Sequence, residues 1–408
     1  MGNVKVTLIS IGNEILLGRT INTNLSYIAE KLAGLGLPLW QNSVIKDEAD
    51  DIFNALNKFW AESDIIISTG GLGPTDDDIT KQTIAEFFGK ELTFHEDIWQ
   101  QVQEMFARRG LHTPQINRCQ AMVPDGFSVL QNLRGTAPGL LLEDSGKVMI
   151  ALPGVPLEMK YIFETHLISY LQSRFSCQPI HQRDIHTSGV SESALAERLS
   201  DFKPREGVSL AWLPQTGRVD LRLYGTRLED VEADTAELTG RMKDVIWAYD
   251  HETPYVALHK LMLEKRLTLS VAESCTGGLI QQKITDLEGA SGYFLGGVVS
   301  YSNSLKEKIL NVHEETLVKH GAVSAETATA MALGIKQLTN SELGISVTGI
   351  AGPDGGSNEK PVGTVFFAIA FRDEVHGFRQ YFSGDRTSVR QKAADFIVLK
   401  LIKLIRGE

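Results

Sequence analysis

The sequence predicts an α/β protein built from more than one domain. Three observations carry this. Apolar runs of strand length alternate with amphipathic stretches from about 4 to 171 and again after 251, the pattern of a parallel sheet covered on both faces. Between about 173 and 250 the texture changes to short strand-like runs with polar helical stretches, as in a small α+β module. A chain of 408 residues, at roughly 150 per domain, has length for two to three cores.

The elements follow in order. Val4 to Ile11 is a first strand, after which Leu25, Ile28, Ala29 and Leu32 recur at helical spacing until Gly34 and Gly36 stop the run. Asp64 to Ser68 and Val148 to Leu152 are short strands of buried type. The middle segment offers strands in IHTSGV, VSLAWLP and VDLRLYG, with helical stretches at Glu192 to Leu199 and Leu228 to Ile246. After His251 come a helix through Leu258, Leu261 and Leu263, a strand Leu267 to Ala272, and the loop ESCTGG opening another helix. Strand GGVVSY, helix SLKEKIL, strand GISVTG, a hairpin of VGTVFFAIAF with HGFRQYFSG, and a terminal helix to Ile405 complete the chain.

Composition narrows the function classes. Hydrophobic residues at 42% and charged residues at 22% are ordinary globular usage. Forty Lys and Arg against 51 Asp and Glu leave a formal charge of −11, so no global field draws the chain to nucleic acid or an anionic membrane. No apolar stretch approaches the ~18 to 20 residues that cross a bilayer, and the N-terminus reads as a strand, not a signal peptide. Cys119, Cys177 and Cys275 are widely spaced and odd in number, which suggests neither a disulfide framework nor a cysteine zinc site. A reducing, cytoplasmic setting is the expectation.

Three loops follow the carboxyl ends of predicted strands, where open α/β sheets bind ligands: GNEIL from Gly12, TGGLGPTDDDIT from Thr69 and LPGVPLEM from Leu152. The glycines Gly70, Gly71 and Gly73 let main-chain N–H groups approach phosphate oxygens. Carboxylates cannot hold phosphate, so Asp76, Asp77 and Asp78 suggest a divalent cation such as Mg²⁺, Mn²⁺ or Co²⁺, or plain helix capping. Glu14, Asn22 and Asn24 are placed to line the same crevice, with Asn24 equally an N-cap.

GNEILLG, INTN, STGGLGPTDDDITK, NRCQAMVP, GTAPG and LPGVPLEM together resemble the CinA (competence/damage-inducible) family over most of residues 1–170. The resemblance implies a molybdopterin-binding-like three-layer α/β/α domain over 1–172. It also implies metal-dependent hydrolysis of ADP-ribose to AMP and ribose 5-phosphate, with K⁺ as an accompanying ion. Asp78 takes the metal or catalytic position with Asp77 beside it, and Thr75, Arg118, Thr136 and Glu158 match positions of substrate contact.

For 173–250 the resemblance implies a KH-like α+β linker domain. A nucleic-acid-binding KH domain needs a GXXG loop, and Gly189, Gly207, Gly217, Gly225 and Gly240 never supply that spacing. Direct nucleic-acid binding is not expected, and a spacer or dimerisation module is. The turn Thr216, Gly217 and Arg218 is placed to touch a neighbour or to serve as a plain surface turn.

The C-terminal part holds four segments dense in small polar residues: AESCTGG, GASGYF, SYSNSLK and FSGDR. Amide hydrolysis without a metal needs a nucleophile, a base and an oxyanion hole. No GxSxG elbow or histidine triad is present, but burial and a neighbouring cation lower a lysine's pKa enough for it to act as base. Lys306 with Arg386 nearby meets that need. Gly277 and Gly278 open a helix as an anion cradle, and Cys275 reads better as a small buried residue than as a nucleophile.

AESCTGG, GGVVSYSN, HGAVS, VTGIAGPDGG, KPVGTV and FSGDR resemble the nicotinamide mononucleotide (NMN) deamidase domain of CinA proteins, covering 251–408 as an α/β amidohydrolase domain. The resemblance implies hydrolysis of NMN to nicotinic acid mononucleotide and ammonia by a Ser/Lys mechanism without a cofactor. It assigns Ser291 as nucleophile, Lys306 as base, and Tyr301 and Arg386 as supporting groups. Ser274 is the rival nucleophile, or else orients Lys306. Thr348, Gly349, Ala351 and Gly352 supply further nucleotide contacts. The sequence departs from some relatives at Gly289-Ala290-Ser291, where they carry serine at position 290. A homodimer is also implied. Two other readings stay open: a catalytically inactive N-terminal binding or assembly domain, and a non-enzymatic competence or DNA-repair partner.

Overall fold

The computed structural model describes residues 4–175, 178–215 and 218–407. Two units result, one up to residue 181 and one from 182 onward.

In the first unit the strands are β1 (Val6–Ile11), β2 (Leu39–Ile45), β3 (Ile65–Thr69), β4 (Leu92–Phe94), β5 (Met122–Pro124), β6 (Ser128–Leu130), β7 (Gly139–Asp144) and β8 (Lys147–Leu152). Six of them form one sheet in the order β2-β1-β3-β8-β7-β6. Alternation of side chains along a strand makes two cores from this sheet. Val6, Leu8, Ile65, Ile67, Val148 and Ile150 pack on one face against the helices Thr23–Gly34 and Pro156–Ile162. Ile9, Ile11, Ile66, Met149 and Ala151 pack on the other against Ala49–Glu62 and Glu96–Arg108. The central strands β1, β3 and β8 are almost wholly buried because both faces are covered, with Thr7, Ser10, Ser68 and Thr69 the buried polar residues among them. The sheet is not all parallel: β7 and β8 form a hairpin through Ser145 and Gly146, whose φ values of 52° and 79° suit a tight two-residue turn.

The first sheet of the second unit comprises β9 (His181–Thr187, which starts one residue before the division), β10 (Val208–Gln215), β11 (Arg218–Gly225) and β12 (Ile246–Tyr249), in the order β10-β11-β9-β12. Helices Glu192–Arg198 and Leu228–Met242 cover its core of Ile185, Leu221, Leu223 and Leu238. The second of these stops at Met242, and Ile246 opens a strand that the helical spacing did not reveal. Trp247 and Ala248 of β12 are buried in the core of the domain that follows, and Lys403 and Arg406 donate to the carbonyls of Asp244 and Trp247. The module is therefore packed onto the C-terminal domain. Thr216, Gly217 and Cys177 lie outside the described residues.

The C-terminal sheet has β13 (Leu269–Glu273), β14 (Phe294–Val299), β15 (Leu343–Gly349), β16 (Thr364–Phe371) and β17 (Glu374–Tyr381) in the order β14-β13-β15-β16-β17. The first three are parallel, and β16 and β17 form the expected antiparallel hairpin. Pro254–Lys265, Leu279–Thr285 and Arg386–Arg406 cover one face and Ala325–Thr339 the other. Small residues let that last helix lie close: Ser346 Oγ donates to the Ala328 carbonyl at 2.6 Å, and a Cβ on Gly344 would stand 2.4 Å from the Ala332 carbonyl. Among the described residues no helix is long and apolar enough to cross a membrane.

Candidate active site

Both α/β domains place a cavity at the carboxyl ends of their parallel strands. In the C-terminal domain the strand order reverses at β13, where crevices form in open sheets. Ser274 directly follows β13 and is buried, its N–H donating to the Val347 carbonyl at 2.9 Å. Lys306 arrives on the helix Asn303–Leu310, capped by Ser302, whose Oγ accepts the Leu305 N–H. The buried face of that helix carries Lys306 and, one turn on, Leu310, so Lys306 is 1% exposed.

Lys306 Nζ lies 3.1 Å from Ser274 Oγ, 2.6 Å from the Ser300 carbonyl and 3.4 Å from the Tyr301 carbonyl. Burial lowers its pKa because desolvation penalises the ammonium form. Of the two causes the sequence suggested, burial and a neighbouring cation, burial is the one that acts, and Arg386 is not among the causes. Arg386 instead donates to the Gly352 carbonyl at 2.6 Å and to the Tyr301 hydroxyl at 3.0 Å, joining two loops across the cavity. The cavity, of about 270 Å³, is lined by Ser274, Tyr301, Lys306, Thr348, Gly349, Ala351, Gly352, Asp354 and Arg386, among others. Thr348 lines it while its Oγ1 donates to the Ala322 carbonyl.

Two expectations are corrected here. Ser291 is not at this site. It is exposed, in a short turn of 3₁₀ helix before β14, and the neighbouring Tyr293 carbonyl pairs with the Leu269 N–H at the opposite end of β13. Five strand residues separate that end from Ser274, roughly 15 Å. Gly277 and Gly278 do not line the cavity, and the helix start they open is already occupied. Buried Glu273 accepts the N–H groups of Gly278, Ile280 and Gln281, so no free anion cradle exists there. Cys275 lines the cavity, but burial pushes its thiol up to about 12, far from a thiolate at neutral pH.

In the N-terminal domain a cavity of about 380 Å³ is lined from the ends of β1, β3 and β8. Glu14, Gly70, Gly71, Gly73, Asp77, Asp78, Thr136 and Glu158 all line it. Asp47, beyond the end of β2, joins them and was missed, although loops at carboxyl strand ends are where it should be sought. Its carboxyl is held above the usual range by burial and by repulsion from Glu14, Asp77 and Asp78. Glu158 is likewise raised by burial, and its Oε2 accepts from Asn132 Nδ2 at 2.6 Å. Gly135 makes room for it, since a Cβ there would stand 1.9 Å from the Glu158 carboxyl carbon.

Asn24, Thr75 and Arg118 are not among the lining residues. Asn24 Nδ2 braces the Gly154 carbonyl at 2.8 Å, while the helix cap is Asn22, whose Oδ1 accepts the Leu25 N–H. Thr75 donates both its N–H and its hydroxyl to Asp78 Oδ2, so that oxygen closes its own loop. Arg118 stacks on Phe94. Among the described residues no group of three His, Cys, Asp or Glu side chains is close enough to hold a metal unaided. The oxygen donors fit a hard divalent cation that takes its other ligands from substrate and water.

Residues 7–173 match the family described as "Probable molybdopterin binding domain", 182–249 the Damage-inducible protein CinA KH domain, and 252–405 the CinA C-terminal domain. A competence-damage inducible protein of Caldicellulosiruptor bescii is 42% identical over 406 residues, 97% of this chain and 98% of that protein. The chain belongs to the CinA family. A CinA-like protein of Dictyoglomus turgidum is 39% identical, covering 95% of this chain and 96% of its own. A crystal structure of the protein CinA from Thermoplasma acidophilum is 35% identical and covers 43% of this chain and all of that one, with a TM-score of 0.38. Membership of the family accounts for the three-part α/β organisation: a molybdopterin-binding-like fold, a KH-like module and a CinA C-terminal domain.

Proposed function

We propose that the C-terminal domain hydrolyses the carboxamide of NMN, giving nicotinic acid mononucleotide and ammonia. The observation that carries this is the 3.1 Å approach of Lys306 Nζ to Ser274 Oγ inside a cavity. A neutral amine at that place donates its two N–H groups to the Ser300 and Tyr301 carbonyls and keeps its lone pair for the Ser274 hydroxyl. Ser274 Oγ attacks the carboxamide carbon as its proton passes to Lys306 Nζ. The ammonium then returns that proton to the departing nitrogen, the C–N bond breaks, and ammonia leaves an ester on Ser274. Water, deprotonated by Lys306, attacks the ester and releases the carboxylate product and free Ser274. Tyr301 and Arg386, joined to each other, hold the nucleotide side of the cavity together with Thr348, Gly349, Ala351 and Gly352.

Ammonia release from NMN without added metal tests this. Ser274→Ala and Lys306→Ala should each lose at least about 10³-fold in kcat, as removal of a nucleophile or its base does. Ser291→Ala should stay within about twofold of the unmodified protein. Turnover that survives Ser274→Ala overturns the assignment.

The N-terminal cavity favours a second activity, metal-dependent cleavage of ADP-ribose to AMP and ribose 5-phosphate. Glu14, Asp47, Asp77, Asp78 and Glu158 line it and no lysine or arginine does, among the described residues. A pyrophosphate enters so anionic a space only with a cation to offset both charges. Asp77 and Asp78 would hold a divalent metal, which when bound neutralises phosphate charge and activates water. The proposal includes K⁺ as an accompanying ion, a homodimeric assembly and a cytoplasmic setting, where both nucleotides are met.

A further inference from the structure

We propose that Arg390 is a positioning residue for the amidohydrolase, acting through the turn that carries the nucleophile. This rests on the Ser274/Lys306 reading above. The turn 274–278 links β13 to the helix Leu279–Thr285, and it is held from two sides. Glu273 takes the N–H groups of Gly278, Ile280 and Gln281, which fixes its far end. Its middle is fixed by Arg390, whose Nε and Nη2 both donate to the Thr276 carbonyl, at 3.3 and 2.7 Å. The guanidinium lies over Gly277, where a Cβ would stand 3.4 Å from Nη2.

Arg390 sits one helical turn after Arg386 on the helix Arg386–Arg406. One helix therefore places two arginines with separate tasks: Arg386 on Tyr301 and Gly352, Arg390 on Thr276. The Thr276 carbonyl shares a rigid peptide plane with the Gly277 N–H, which donates to the Ser274 carbonyl at 3.1 Å, so holding the Thr276 carbonyl steadies the backbone of Ser274 itself. Arg390 does not line the cavity, and it reaches the chemistry only through this turn. Attack depends on where Ser274 Oγ points relative to Lys306 and the carboxamide, so a turn free to rotate slows the chemical step and leaves ground-state binding alone.

Arg390→Gln and Arg390→Lys distinguish this from a packing role. Arg390→Gln should lower kcat for NMN on the order of 100-fold, with KM within about twofold. Arg390→Lys, which keeps the charge but not the two-pronged donor, should recover only part of that loss. A second readout does not depend on NMN: labelling of Ser274 by a fluorophosphonate, in which Oγ displaces fluoride from phosphorus and Lys306 takes the proton. Arg390→Gln should label more slowly by a similar factor.

If Arg390→Gln labels and turns over at the original rate, or if only KM rises, the positioning role is overturned. If the unmodified protein labels at Ser274 but leaves NMN intact, the substrate assignment fails while slow labelling of Arg390→Gln still supports the role. If NMN turns over without labelling, the kcat and KM comparison decides. If neither occurs, the nucleophile and the role resting on it fall together.

Discussion

Lys306 combines two properties that water normally keeps apart: a long basic side chain and almost complete burial. Its depressed pKa has a direct consequence for rate. In the proposed reaction the neutral amine is the working form, so kcat/KM for NMN should rise with pH through an apparent pKa below the ordinary lysine value of about 10.4. A pH–rate profile without that limb would remove Lys306 from the role of base. Stability follows the same group. With the folded pKa below the unfolded one, the unfolded chain binds more protons between the two values, so stability rises with pH across that window. Lys306→Met should abolish that rise in urea titrations of the second unit. Lys306, Tyr301 and Arg386 were legible as residues from their motifs, because each lies in a dense polar segment beside a strand. Which serine meets the lysine was not legible. Ser274 and Ser291 lie in equally suggestive segments, and only the two ends of β13 separate them.

At the scale of elements, β13 and the two helices beside it explain most of what sequence patterning missed. Glu273 closes a strand with a carboxylate that is fully buried, and its reason is the helix start it satisfies. Arg390 spends its donors on a carbonyl 114 residues away, a partner no local pattern reveals. Helix Ala325–Thr339 shows the same dependence on its neighbours through Gly334. Alanine normally improves a helix interior by about 1 kcal/mol over glycine. Here a Cβ at Gly334 would stand 2.0 Å from the Leu310 carbonyl, so Gly334→Ala should destabilise by about 1–3 kcal/mol. Urea unfolding of the variant reads the sign directly, and a stabilised protein would show that the helix can move away from the Leu310 carbonyl at little cost.

Across the whole molecule, two open sheets each present a cavity at carboxyl strand ends, but their linings are opposite in chemistry. One has a buried amine beside a serine; the other gathers five carboxylates. The two activities should therefore separate cleanly. EDTA should abolish ADP-ribose cleavage and leave ammonia release from NMN unchanged, and Asp77→Ala should do the same. Ser274→Ala should do the reverse. Loss of NMN turnover in EDTA would contradict a cofactor-free C-terminal site. The sequence by itself determined the α/β organisation, the family and the loops that bear the sites, because side-chain period, glycine and turn chemistry act over a few residues. Only the tertiary structure decided that Ser274 and not Ser291 faces Lys306, that Glu273 fills the helix start, and that Asp47 joins the acidic cavity. Those outcomes depend on strand order and on which end of a strand a loop leaves, distances set by packing between segments far apart in the chain.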